Sequence, residues 1–293
     1  MQNFNSATEA QTMHIIDSHA HVVSDEPDRF PAVSEAYRAA LQAEDGPMTW
    51  RRLLGEMDDV HVARSLIVQR TQYYRFDNSY LLESASLSGG RLVPVCAVDG
   101  RSEGAGAMVR ALAREGAAGF RLMAKIGEES FDWVAGPTAE KVWRACADHG
   151  LPLCVHFFPW NREAGIPLML EMLEGVRGLP VVVDHLANGA IELEGEGGVD
   201  DLVRAMADYD EIYLKFTTIP LGRLKSEGIP AGEILANFAT LFGCERLMWG
   251  SDISQSPGAY GDMVGLALEA TAAFSVEERA LMLGGAASAV YCL

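Results

Sequence analysis

The stretch Ile15-Ile16-Asp17-Ser18-His19-Ala20-His21 opens on two β-branched residues and runs out in a His-x-His pair. β-Branched side chains suit an extended backbone, and along a strand successive side chains alternate between faces. His19 and His21 therefore share a face, two imidazoles side by side at a strand end. Neutral imidazole nitrogens are what a divalent transition metal takes as ligands. Taken alone the pair has a plainer reading, two polar residues closing a strand. Its weight depends on what the rest of the chain brings to the same place.

Outward from this segment, short apolar runs alternate with amphipathic ones to the end of the chain. Strand-like runs lie at 14–18, 64–69, 91–98, 118–123, 151–156, 180–185, 211–216 and 246–250. Helical patterns lie around 49–60, 77–88, 103–115, 138–149, 163–176, 199–208, 231–242 and 259–272. A last helix over 276–290 follows a Ser275 cap, with Glu277 and Glu278 in its first turn. Eight strands each followed by a helix predict an α/β fold, a single-domain (β/α)8 TIM barrel. The strands are nearly all apolar, as expected where both faces are covered. An open doubly wound sheet is the rival, but no Gly-x-Gly-x-x-Gly follows the first strand. Ser88-Gly89-Gly90 and Gly195-Glu196-Gly197-Gly198 read as ordinary loops. The expected division is a tail over 1–13 and a barrel over 14–293 that ends in a C-terminal helix. A long first loop, 22–46, is expected to fold over the barrel mouth.

The 293 residues are 49% hydrophobic and 22% charged, a globular composition able to bury a large core. A formal net charge of −18 argues against nucleic acid or an anionic membrane as partner. A local cationic cleft can still take an anionic small molecule. The five cysteines scatter without a Cys-x-x-Cys pair, which fits free thiols in a reducing compartment. The first thirteen residues carry no basic-then-apolar leader, and no stretch approaches a membrane span. The expected address is the cytoplasm, with a homo-oligomer left open.

In barrels of this kind the chemistry sits at the carboxyl ends of the strands. The first strand ends in His19 and His21, the fifth in His156, the sixth in His185, and the eighth in Trp249-Gly250-Ser251-Asp252. Four of the seven histidines fall on these ends. His14, His61 and His149 read as structural; His149 closes a helix before Gly150, where a cation suits the carboxyl terminus. Three imidazoles and a carboxylate can hold one divalent ion and leave a position open for water, whose pKa the ion lowers. Asp252, touching both ion and water, would take the proton and pass it to the leaving group. His185 would donate to the developing oxyanion or complete the metal shell.

This set, with Ala118-Gly119-Phe120-Arg121-Leu122 and Val182-Val183-Asp184-His185 between, resembles the amidohydrolase superfamily over about residues 14–291. More narrowly it is similar to the "amidohydrolase 2" branch of short barrels, which holds lactone hydrolases and non-oxidative decarboxylases. The resemblance implies His19, His21, His156 and Asp252 as metal ligands, and His185 as a catalytic residue or ligand. It implies one divalent metal, zinc first and manganese as the alternative. A pyrone-dicarboxylate hydrolase that works without metal carries Tyr on its fifth strand, where this chain has His156. Two-metal members bridge their ions through a fourth-strand Lys or Glu; Lys125 is the candidate here, and a single ion is favoured. The chain departs from the family pattern near its end, where Ala286 and Ala289 stand in place of an Asn and an Arg.

For substrate binding the candidates are Arg121, Lys215, Tyr73, Tyr74, Trp160 and Arg162. Arg121 occupies an inward-facing strand position, where an unpaired guanidinium would be costly. It can be a buried ion pair or a bidentate clamp on a substrate carboxylate. Lys215 at the end of the seventh strand could add a second cation. The loops 69–75 and 157–162 bring Tyr73, Tyr74, Trp160 and Arg162, aromatics and cations suited to a small planar or cyclic acid. The expected activity is metal-dependent hydrolysis of a carboxylate-bearing lactone or related cyclic ester. The alternative is non-oxidative decarboxylation of an aromatic or muconate-type acid.

Overall fold

In the computed structural model, which describes residues 13–189 and 197–293, β1 (Ile15–Ala20) lies beside β2 (Val62–Val68). From there each strand pairs in parallel with the next: β3 (Leu92–Ala97), β4 (Gly119–Met123), β5 (Leu153–His156), β6 (Val181–Val183), β7 (Ile212–Thr217) and β8 (Leu247–Gly250). All eight strands stand where the apolar runs predict them, and helices alternate with them in a single-domain (β/α)8 barrel. The tail expected over 1–13 falls almost entirely outside the described residues. Among the described residues no helix is long and apolar enough to cross a membrane.

Two side-chain layers follow from the period-two alternation of strands. Ile16, Leu66, Val68, Val93, Val95, Cys154, Val182 and Met248 fill the inside of the barrel. Their neighbours of opposite parity, among them Phe120, Leu122, Leu153, Val155, Leu214 and Phe216, form the layer under the helices. Nearly every one of these side chains is buried, which is why the strands read as continuous apolar runs.

The C-terminal helix closes the barrel floor, and it does so in pieces. The expected helix over 276–290 is a capped turn at Val276–Ala280, a wide turn at Leu281–Gly285 and a helix at Ala286–Tyr291. The Ser275 cap is present: its hydroxyl accepts from Glu278 N at 3.2 Å, and Glu278 Oε2 accepts from Ser275 N at 2.8 Å. The wide turn sits where Gly284 meets β1, since a Cβ there would lie 2.2 Å from the His14 carbonyl oxygen. Ala286, Ala287, Val290 and Tyr291 then pack on the interior cluster from below. Of the two alanines noted near the end of the chain, Ala286 is thus a floor residue, whereas Ala289 is exposed.

The seam between β8 and β1 is closed by a side chain. Asp17 accepts from Ser251 N at 2.8 Å, Ser251 Oγ at 2.6 Å, His19 N at 2.9 Å and Tyr260 OH at 3.0 Å. Asp252 N donates to the His19 carbonyl at 2.6 Å, tying the end of β8 directly to the His-x-His segment. Only glycine fits at position 250, because an added Cβ would meet His19 Cβ at 2.5 Å. β1 also carries an irregularity, a register shift against β2 between Asp17 and Ala20, so Asp17 serves the seam while His19 turns inward.

Among the described residues, two helices of eight residues or more were not foreseen, besides the single turn Thr71–Tyr74. Glu35–Gln42 lies in the long first loop, and Thr218–Glu227 follows β7 directly. The first loop is tied to the short helix Thr71–Tyr74 after β2: Ser24 N donates to Tyr74 OH at 2.8 Å and Val33 N to the Tyr73 carbonyl at 2.8 Å. It flanks the mouth and contributes no residue to the lining of the central cavity.

Candidate metal centre and its cavity

At the carboxyl end of the barrel His19 Nε2 lies 3.6 Å and His21 Nε2 3.4 Å from Asp252 Oδ1. One ligand atom from each of these three residues falls within 4.8 Å of the others. The three arrive from β1 and the loop after β8, brought together by the seam. His21 Nδ1 lies 2.7 Å from the Val68 carbonyl, which can only accept, so the ring's proton sits on Nδ1 and its Nε2 lone pair is free. The other Asp252 oxygen accepts from Ser256 Oγ at 2.8 Å. His19 Nε2 and Asp252 Oδ1 are fully buried and have no hydrogen-bond partner. Buried polar atoms are normally satisfied, and two facing orphans with acceptor character fit a cation between them.

Beneath this cluster is a residue the sequence reading passed over. Asp184, fully buried at the end of β6, receives Arg121 Nε at 3.0 Å and Nη2 at 2.8 Å, Lys215 Nζ at 3.3 Å and Cys154 Sγ at 3.1 Å. His19 Nδ1 lies 3.1 Å from Oδ1, the oxygen that also takes Lys215 and Cys154. Burial alone would raise the Asp184 carboxyl, but the contact with His19 Nδ1 and the charges of Lys215 and Arg121 outweigh it and hold it well below the usual carboxylate range. An ionised Asp184 only accepts, so His19 carries its proton on Nδ1 and keeps Nε2 as a lone pair facing Asp252. Lys215 Nζ, also 3.3 Å from His19 Nδ1, then donates its hydrogen bond to the carboxylate. A second grouping of His19, Asp184 and His185 lies within 4.8 Å, but its carboxylate is already engaged by two cations.

Burial drives the pKa of His19, His21 and His156 below the ordinary value and that of His185 down to about 3, so all four rings are neutral. Asp252 is pressed the other way: burial would raise it, yet the close approach of His21, then of His185 and His19, outweighs burial and holds it below the usual carboxylate range. Neutral imidazoles around one carboxylate are the protonation states that metal binding needs.

His156 lines the cavity but is not gathered with the other three. Arg121 Nη2 sits 3.2 Å from His156 Nδ1, and a guanidinium can only donate. The His156 proton therefore belongs on Nε2, which makes the ring a donor on its remaining edge. His185 sits 5.1 Å from both His19 and His156 between ring centres, with Nδ1 2.6 Å from Thr217 Oγ1.

The backbone that aims His185 is left-handed for four residues running, with φ of 55° at His185, 51° at Leu186, 57° at Ala187 and 49° at Asn188. Each such residue costs roughly 1–2 kcal/mol, so the turn persists because its surroundings hold it. Arg162 is one of the holders: its Nε donates to the Ala187 carbonyl at 3.0 Å, and its Nη1 pairs with Asp200 at 2.6 Å. Asn188 Nδ2 adds a bond to the Phe157 carbonyl at 2.6 Å. Asp252 has φ of 56° as well, so both cavity-facing loops are strained.

The candidate substrate residues divide. Arg121 reaches the cavity wall while paired with Asp184, the ion-pair reading of its two. Lys215 is fully buried behind His19, and Arg162 serves the left-handed turn. Tyr73 and Tyr74 belong to an aromatic cluster with Tyr37 under the first loop, and neither lines the cavity. Trp160 is exposed and stacks at 4.1 Å on Phe158, which does line it. Gln72, Asn188 and Gln255 line the cavity unforeseen, and only their place in the loops after β2, β6 and β8 could have pointed to them.

A barrel with a buried His-His-Asp cluster at the carboxyl end of its strands is an enzyme-type architecture. The amidohydrolase family model matches residues 16–293, and the chain belongs to that family. No curated protein matches it in sequence. Among solved structures it is similar to a candidate 2-pyrone-4,6-dicarboxylic acid hydrolase of Pseudomonas putida, with a TM-score of 0.76 and 23% identity over 96% of this chain and 98% of the other. It is similar too to a candidate enzyme of the same name from Acinetobacter baumannii, with citric acid bound (0.75; 19%; 96% and 100%). A third is an amidohydrolase of Burkholderia multivorans with bound zinc (0.70; 19%; 96% and 99%).

Proposed function

We propose that this chain is a metal-dependent hydrolase of a small carboxylate-bearing lactone or related cyclic ester. The observation that carries the reading is the pair of buried, unpartnered acceptors, His19 Nε2 and Asp252 Oδ1, beside His21 Nε2. These three residues would hold one divalent ion, with zinc as the first candidate and manganese the second. When bound, the ion supplies a Lewis acid that lowers the pKa of water and polarises a carbonyl. Asp252 Oδ1 receives the proton of the attacking water and hands it to the leaving alkoxide. His156, with its proton on Nε2, donates to the ester oxygen that gains charge, and His185 does the same when Thr217 donates to its Nδ1. His156 thus changes part, from fourth ligand to donor. The neighbour that holds citric acid supports an acidic substrate.

Decarboxylation is the second reading, and one observation favours it. Arg121 is spent on Asp184, which weakens the clamp on a remote carboxylate and leaves the metal site to take the acid group itself.

The test is elemental analysis of protein purified without chelator, followed by assays on a panel of lactones and hydroxybenzoates. The expected result is one divalent ion per chain, lost in Asp252→Asn, and acid release from lactones. Carbon dioxide from hydroxybenzoates would select the second reading. Protein that carries no ion and is indifferent to added zinc or manganese would refute both.

A further inference from the structure

Beside the site cavity lies a larger one that the reaction as described does not use. The site cavity has a volume of about 160 Å³, whereas ligand pockets for molecules of ordinary size run from about 300 to 1,000 Å³. The neighbouring cavity, about 600 Å³, falls inside that range. Gln72 and Met123 line both. Met123 is the partition between them, and Thr71 Oγ1 holds its sulfur at 2.9 Å. A methionine wall is pliable, since the side chain is unbranched and has three rotatable bonds.

The chemistry of the larger cavity is uneven. Its middle is apolar, with Phe76 and Met123, and Ile126 at its edge is 76% exposed. At its mouth stand two cations, Arg75 and Lys125. The acids nearby share one cation: Asp99 and Glu128 both pair with Arg101, and Glu128 also accepts from Lys125 through the backbone N–H. Arg75 and Lys125 form no ion pair among the described residues. Arg75, Lys125 and Arg101 against Asp99 and Glu128 leave the rim one positive charge in excess beside an apolar lining, on a chain whose net charge is −18.

We infer that the substrate carries an apolar arm that runs from the site past Met123 and ends in a second anion held by Arg75 and Lys125. This rests on the proposed acidic substrate for the head group and adds the arm. The substrate class is then an elongated dicarboxylate-type acid with its reactive ring at one end.

The test is titration calorimetry of the zinc-loaded enzyme with three unreactive probes: benzoate, para-pentylbenzoate and para-(carboxybutyl)benzoate. The carboxylate-tipped probe is expected to bind roughly tenfold tighter than the methyl-tipped one, two partly exposed charge contacts near the upper end of what such pairs contribute. In R75E/K125E, both at exposed positions, that ratio falls to one or below, and K125E alone gives an intermediate value. No gain from the terminal carboxylate in the wild type, or a gain that survives the double reversal, overturns the arm. Failure of benzoate to bind, with the tipped probe still dependent on both cations, sinks the acidic-head reading and leaves the arm standing.

Discussion

Replacing Asp184 by alanine should cost the fold about 3–5 kcal/mol, because it strands two buried cations at once. Lys215 is fully buried and Arg121 is 4% exposed. Asp184 lies 3.3 Å from the ammonium of the first and 2.8 Å from the guanidinium of the second. At an effective dielectric near 20, each attraction is worth about 5 kcal/mol gross. Relaxation and entering water return part of that when the carboxylate goes. What remains is at least about a fifth of the roughly 5–15 kcal/mol by which a domain is stable. Urea unfolding followed by fluorescence of the buried tryptophans 133, 143 and 249 measures it. The decisive comparison adds Lys215→Met to Asp184→Ala. If the stranded cation is the cause, the double variant is more stable than Asp184→Ala alone and the two effects are far from additive. A loss under about 1 kcal/mol in Asp184→Ala, or additivity in the double, would refute the account. Zinc affinity gives a second readout, since losing the carboxylate that orients His19 should weaken it about 10–100-fold.

Three further outcomes follow from the geometry. His156→Gln should keep its metal and lose on the order of 100-fold in turnover, as expected for removal of one donor to a developing oxyanion; loss of the ion instead, by elemental analysis, would restore His156 as a ligand. Gly250→Ala forces a Cβ to within 2.5 Å of His19 Cβ, and the overpacking should lower stability by about 1–3 kcal/mol in urea melts and loosen metal binding. On pH, His185 titrates at about 3 in the fold against 6.5 in the open chain. The unfolded state therefore takes up the proton first, so stability is full above about pH 6.5 and is lost towards pH 3 at roughly 1.4 kcal/mol per unit. His19, His21 and His156 are shifted the same way and steepen the fall. Melting of metal-free protein at about pH 7 and pH 5 checks this, and equal melting temperatures would contradict the burial of neutral imidazoles.

The eight strands, the Ser275 cap and the placement of His19, His21, His156, His185 and Asp252 at one rim were all legible in the chain. Each depends on patterns spanning a few residues: alternation, a cap and its third neighbour, a polar residue where an apolar run stops. Asp184 was in plain view one residue before His185, yet as an ordinary loop acid it carries no local signal. Its meaning comes from Arg121 and Lys215 on other strands. The same holds for Arg162, whose partner is a strained turn around Ala187, and for Tyr73 and Tyr74, which face the first loop.

What the amino-acid order determined by itself was the set of elements and which side chains could share a face, since hydrogen-bonded strands and helices obey short periods. Only the closed barrel decided which buried charge meets which. Arg121 and Asp184 are 63 residues apart, and Lys215 and His19 are 196 apart. No local rule links such pairs. In an interior poor in water every cation must be answered by whatever lies beside it, and that neighbour is chosen by how the strands line up around the ring.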